Sequence, residues 1–137
     1  MKTLALVLLG YVAFVALMEL AIGLIQPDMD IGVVLTTRDA QGEASSRKLA
    51  GFAFEDRLYV SSNHWLRGWY NRAIENPDVE VTFAGERTKR VAVPIEGEER
   101  RRIAAAYGSG FHLGLRIVCG FAPQRFLRLD PVGSAAD

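Results

Sequence analysis

At 137 residues the chain has room for one domain and a short appendage. Sixteen basic residues balance sixteen acidic ones, so no net field draws in a nucleic acid, and none is expected as a partner. The single cysteine, Cys119, excludes an internal disulfide, and together with two histidines at no ligand-type spacing it supplies no zinc set, so no metal is expected.

From Thr3 to Ile25 runs an apolar stretch whose one charge is Glu19. At ~1.5 Å per residue it reaches about 34 Å, enough to cross a hydrocarbon core of roughly 30 Å. A cleaved signal peptide is the rival reading, with Met1-Lys2 as its basic end and Ala21-Ile22-Gly23 as a small-x-small site. The run is longer than the usual ~7–15-residue apolar core of a signal and continues past that site, which favours an uncleaved anchor. Residues 3–25 are thus expected in lipid, with residues 1–27 as anchor and 28–137 as a separate globular domain. Glu19 lies six residues from Ile25, in the half of the run towards that interface. It either reaches the headgroups or is protonated, or it touches a partner helix or a lipid-soluble substrate. Lys2 before the run and Arg38, Arg47 and Lys48 after it are too few to fix orientation.

Pro27-Asp28-Met29-Asp30 reads as a connector. Ile31–Thr37 is an expected strand, its Val33, Val34 and Leu35 too continuous for a wet face. Asp39–Glu43 turns the chain, with Gly42 free to take a positive φ. Arg47–Phe54 and Arg57–Ser61 form a hairpin about Glu55-Asp56. Ser61-Ser62-Asn63 then breaks the ladder, with Ser62 or Asn63 as N-cap of a helix. In that helix Leu66, Trp69, Tyr70, Ala73 and Ile74 share one stripe, Arg67, Asn71, Arg72 and Glu75 lie on the other side, and Pro77 ends it. A strand-to-helix turn of this kind offers free N–H groups to an anionic or carbonyl-bearing ring.

Val79–Phe83 and Thr88–Ile95 make a second hairpin. Glu96–Tyr107 is a second helix, with Glu96/Arg100 and Glu98/Arg102 at favourable i, i+4 spacing. Gly108–Gly120 is glycine-punctuated, with Leu115–Cys119 as a short apolar strand. Gln124–Asp130 closes the sheet. The fold class is therefore mainly β with two helices (α+β), its strands closed into a barrel and preceded by one transmembrane helix.

Trp69-Tyr70, followed by Asn76-Pro77 and Val79, resembles the W-Y-x-N-L-x-A-N-P-x-V signature of the deazaflavin-dependent nitroreductase family, and Tyr59–Asn63 resembles that family's strand ending in A-S-N. The resemblance covers about Ile31 to Pro131 and implies a six-stranded split β-barrel that binds a deazaflavin coenzyme or FMN. It implies cofactor contacts from Ser61, Ser62, Asn63, Trp69 and Tyr70, and phosphate contacts from Arg38 with Arg47 and Lys48. The chain departs from the family at Asp39, Ala40 and Gln41, where basic residues are usual, and at Arg72, where the family has Asn. His64 is a candidate proton donor.

Two functions follow from the resemblance. One is a membrane-anchored oxidoreductase, its domain cytoplasmic, passing a hydride or electrons to a quinone-like or nitro acceptor. The other is a cofactor-free barrel serving as an accessory subunit of a larger membrane complex. Barrels of this kind are often homodimers, which the resemblance also implies.

Overall fold

The computed structural model describes residues 2–24, 32–66, 68–107 and 113–133. A long helix, α1 (Lys2–Leu24), precedes six strands: β1 (Gly32–Arg38), β2 (Ala44–Phe54), β3 (Arg57–Ser62), β4 (Asp78–Phe83), β5 (Glu86–Pro94) and β6 (Arg125–Pro131). Three shorter helices lie between them: α2 (Gly68–Glu75), α3 (Gly97–Tyr107) and α4 (Leu113–Val118). The strands close in the order β1-β2-β3-β6-β5-β4, every pairing antiparallel. Closure leaves the barrel without a free edge.

Strand alternation sorts the side chains onto two faces. Val33, Leu35, Leu49, Leu58, Val60, Val79, Val81, Leu127 and Leu129 fill the interior, joined by Trp69, Tyr70 and Ala73 of α2. A second cluster forms outside the wall, where Ile103, Ala104 and Tyr107 of α3 cover Phe52, Phe54, Tyr59 and Phe126. The two tight hairpins each place both central residues at positive φ, Glu55-Asp56 and Ala84-Gly85, the conformation whose twist matches paired strands.

The helix α1 meets the barrel along one stripe. Tyr11, Val15, Met18 and Glu19, at i, i+4, i+7 and i+8, are covered wholly or in part, while the flanking leucines, valines and Phe14 are exposed. The packing is close at Val15. A Cβ at Gly120, which holds a φ of 60°, would collide with the Val15 side chain.

Several expectations are corrected. The strand before α2 does not stop at Ser61: Ser61 and Ser62 pair with Phe126 and Arg125, so their backbones belong to the ladder rather than to a helix cap. α2 consequently begins at Gly68. Leu66 precedes the helix and stands 67% exposed, and Ile74 turns outward as well. Leu115–Cys119 belongs not to a strand but to α4 and the turn after it, because the barrel is already closed and offers no edge to pair with. Three helices, not two, therefore follow α1. Arg102 pairs with Glu55 (3.2 Å) and Arg100 donates to the Gln124 carbonyl (3.0 Å), since α3 lies on the wall and meets the β2–β3 hairpin. The connector Pro27–Asp30, Arg67, Gly108–Gly110 and His112 lie outside the described residues.

Candidate functional site

The alternation that builds the barrel also divides the residues expected to bind a cofactor. Arg47 stands opposite Leu35 and shares its inward-facing side, whereas Lys48 stands opposite Val34 on the outer side. Ser62, two residues beyond Val60, shares its inward-facing side and is buried. Ser61 faces outward, under α3. The predicted set thus falls into an inner group (Arg47, Ser62, Trp69, Tyr70) and an outer group (Lys48, Ser61). Arg38 lies at the far end of β1 and is engaged elsewhere.

On the outer side, Asn63, Ser61 and Tyr107 form a connected chain of polar atoms. The Ser61 hydroxyl donates to Tyr107 Oη (3.0 Å) and accepts from Asn63 Nδ2 (3.4 Å). Asn63 Oδ1 is buried and has no hydrogen-bond partner among the described residues. An acceptor left without a donor costs about 1–3 kcal/mol, so this buried oxygen is the least satisfied polar atom among the described side chains. The Phe52 ring lies 5.1 Å from that of Tyr107. Lys48 is three residues before Gly51 and Asn63 three beyond Val60, its partner, so the two flank the same divergence of β2 and β3. Tyr107 and Phe52 had no signal in the sequence that tied them to this site; a tyrosine at a helix end is usually surface.

The turn itself is differently occupied. Glu19, only 6% exposed, reaches from α1 to accept the Leu66 backbone N–H at Oε2 (3.2 Å), and its Oε1 lies 3.3 Å from His64 Nδ1. The Trp65 indole donates to the Gly120 carbonyl (3.2 Å) and the Tyr11 hydroxyl to that of Ile117 (2.8 Å). An acidic side chain does sit at this turn, and it is the protein's own. The β1–β2 turn behaves likewise: the Asp39 carboxylate accepts the N–H groups of Gln41 (3.0 Å) and Glu43 (2.8 Å). Arg38 is paired with Glu80 (3.2 Å), which Arg87 also contacts. These hydrogen bonds, Arg87 first, hold the Glu80 carboxyl below its usual range. Arg72 donates to Thr37 Oγ1 (3.2 Å) and Ser45 Oγ (3.4 Å).

Set against a deazaflavin or FMN, the residues fit the ring better than the phosphate. Asn63 Oδ1 matches an imide N–H of the kind such rings carry, and Ser61 and Tyr107 extend the polar edge. The β1–β2 turn, which the resemblance assigns to phosphate, is satisfied internally by Asp39, and the turn after β3 is closed by Glu19. A separate cleft of about 400 Å³ opens between Arg38, Asn76, Glu80, Lys89 and Arg90, beyond the opposite end of α2. No group of three or more metal-ligating side chains occurs among the described residues.

No family model matches the chain, and no curated protein does. Solved structures match it in fold. One is an F420-H2-dependent reductase, FDR-A, at 18% identity and a TM-score of 0.57, covering 74% of this chain and 95% of the other. A pyridoxamine 5′-phosphate oxidase candidate from Listeria innocua gives 17%, 0.57, and coverage of 74% and 84%. A domain-swapped dimer gives 17%, 0.60, and coverage of 74% and 81%. The chain thus shares the split-barrel fold of these structures. It also carries one helix apolar enough and long enough to cross a membrane, near the N-terminus.

Proposed function

We propose that this chain is a membrane-anchored, single-pass split-barrel oxidoreductase with a cytoplasmic domain (residues 28–137) and an anchor (residues 1–27). The observation that carries this reading is the buried Asn63 Oδ1, without a donor among the described residues, on a side chain linked to Ser61 and Tyr107 on the outer wall of the barrel. The resemblance around Trp69-Tyr70 and the likeness to an F420-H2-dependent reductase support a flavin-type ring there. A reduced flavin or deazaflavin supplies a hydride to a quinone-like or nitro acceptor. The chain's own part is to orient that ring through Asn63, Ser61 and Tyr107, and to set Lys48 near its charged tail. His64, held by Glu19, stands beside the turn as the candidate proton donor, and α1 keeps the domain where lipid-soluble quinones concentrate.

Titration of the detergent-solubilised protein with FMN and with a deazaflavin, followed by absorbance and fluorescence, tests it. Binding of one of them is expected, weakened roughly tenfold by Asn63→Ala, the equivalent of one hydrogen bond. A folded protein that binds neither sinks the reading.

The second reading, a cofactor-free accessory subunit, is favoured by Glu19 and Asp39. Asp39 fills the turn that the resemblance gives to cofactor phosphate, and Glu19 closes the turn that it places near the ring. It predicts no chromophore binding and a native mass well above that of one chain, or of a homodimer, when the protein is solubilised mildly from its own membranes.

A further inference from the structure

Residues Lys2–Gly10 of α1 are exposed throughout, and the helix first bonds to the barrel at Tyr11. At ~1.5 Å per residue that free part is about 13 Å long, under half of a hydrocarbon core of roughly 30 Å. A docked α1 that crosses a bilayer therefore carries Tyr11–Glu19 into lipid, and with them the barrel surface they are fastened to. That surface is apolar where it is exposed. Trp65 (54%), Leu66 (67%), Ile117 (43%) and Phe121 (50%) lie on the two segments that α1 contacts. The Trp65–Gly120 hydrogen bond joins those segments to each other. Arg116, its guanidinium 5.7 Å from the Phe121 ring, and Arg125, 6.0 Å from that of Tyr70, are exposed beside them. The acidic side chain in contact with this surface, Glu19, is buried and bonded inward.

We infer that the barrel end formed by Trp65, Leu66, Ile117 and Phe121 is a second lipid contact, seated among the anionic headgroups and upper acyl chains of the bilayer that α1 enters. The Trp65 N–H is already satisfied by the Gly120 carbonyl, so its exposed ring can enter the acyl region without stranding a donor, and long arginines lay their stems on apolar surface while the guanidinium reaches phosphate. Charge complementarity and continuity with α1 select lipid over a second protein. The inference rests on the anchor reading, and it is independent of whether a cofactor binds. It also puts the turn that carries Asn63 and His64 at the lipid surface, where an acceptor dissolved in the bilayer arrives.

The test uses the full chain in vesicles of phosphatidylcholine and phosphatidylglycerol, some carrying a quencher on the upper acyl chain, with iodide as the aqueous quencher. Wild type is compared with Trp65→Phe; Trp69 is buried and supplies the background. Tryptophan emission quenched by the labelled lipid, poorly by iodide, and losing that response in Trp65→Phe is the expected result. Phe121→Asp should shift Trp65 from lipid towards iodide quenching. If the chain resists alkaline carbonate extraction but Trp65 responds to iodide alone, the anchor stands and this contact is overturned. A Trp65 shielded from both quenchers means a protein, a second copy included, covers the surface, and also overturns it. Release of the chain by carbonate overturns the anchor and this inference together.

Discussion

Two helices lie on the outside of this barrel, and each is pinned by a glutamate. On α3, Glu99 accepts two hydrogen bonds from Arg128 (2.9 and 3.0 Å) and one from Tyr59 (3.2 Å). On α1, Glu19 accepts the Leu66 N–H and faces His64. The surroundings differ completely. α3 turns Ile103 inward, wholly buried, and sends Arg100, Arg101 and Arg102 to water. α1 buries its one acid against the barrel and turns leucines, valines and a phenylalanine outward. Polar outside with apolar inside is a helix that belongs to the barrel's own core; the inverse is the pattern of a helix apolar enough to cross a membrane. The same pinning device thus holds two helices of opposite character against one barrel.

The contrast is broken most directly at Ile103. Ile103→Ala should lower unfolding stability by about 2–5 kcal/mol, because it hollows the cluster that holds α3 on the wall. Denaturant midpoints in detergent would show it, and a loss far below that range would mean α3 is dispensable to the fold. The corresponding lesion in α1 should act locally. Glu19→Ala strands the Leu66 N–H, which weakens docking by about 1–3 kcal/mol and leaves the barrel's own midpoint nearly unchanged. Cys119 reports on this: it is buried, and burial first, then the Glu19 charge, pushes its thiol up in pKa. Its labelling by a thiol reagent should accelerate about tenfold or more in the variant. An unchanged rate would show that Glu19 does not hold α1 down.

The smallest effect sharpens the Glu99 side. Burial, followed by the Glu99 charge and hydrogen bond, raises the Tyr59 phenol above 10.0. The unfolded chain ionises first as pH passes 10.0, so the stability tied to this proton is complete below that value. It is lost as pH climbs through the raised folded value. Tyr59→Phe should cost about 1 kcal/mol at neutral pH and flatten the alkaline fall, followed by stability curves against pH. A fall of equal steepness in the variant would assign it to other groups.

Much of this was legible beforehand. Alternation in Arg57–Ser61 and Val79–Phe83, turn residues at Glu55-Asp56 and Ala84-Gly85, and the charge-poor run from Thr3 to Ile25 named the strands, hairpins and long helix to within a few residues. The site was less so. Ser61, Ser62 and Asn63 read as one turn, yet β6 draws both serines into the ladder and sends them to opposite faces. Glu19 was conspicuous as a lone acid, but no local pattern indicates that it reaches residues more than forty positions away.

By itself, then, the sequence determined the elements and their periods, because φ/ψ preference and the water-facing pattern act between near neighbours. Only the tertiary structure decided which face each polar residue serves, that Asn63 Oδ1 lacks a donor among the described residues, and that Glu19 closes the turn beside it. Those outcomes depend on which distant strands pair and where a helix docks, and such contacts form between residues that share no local signal.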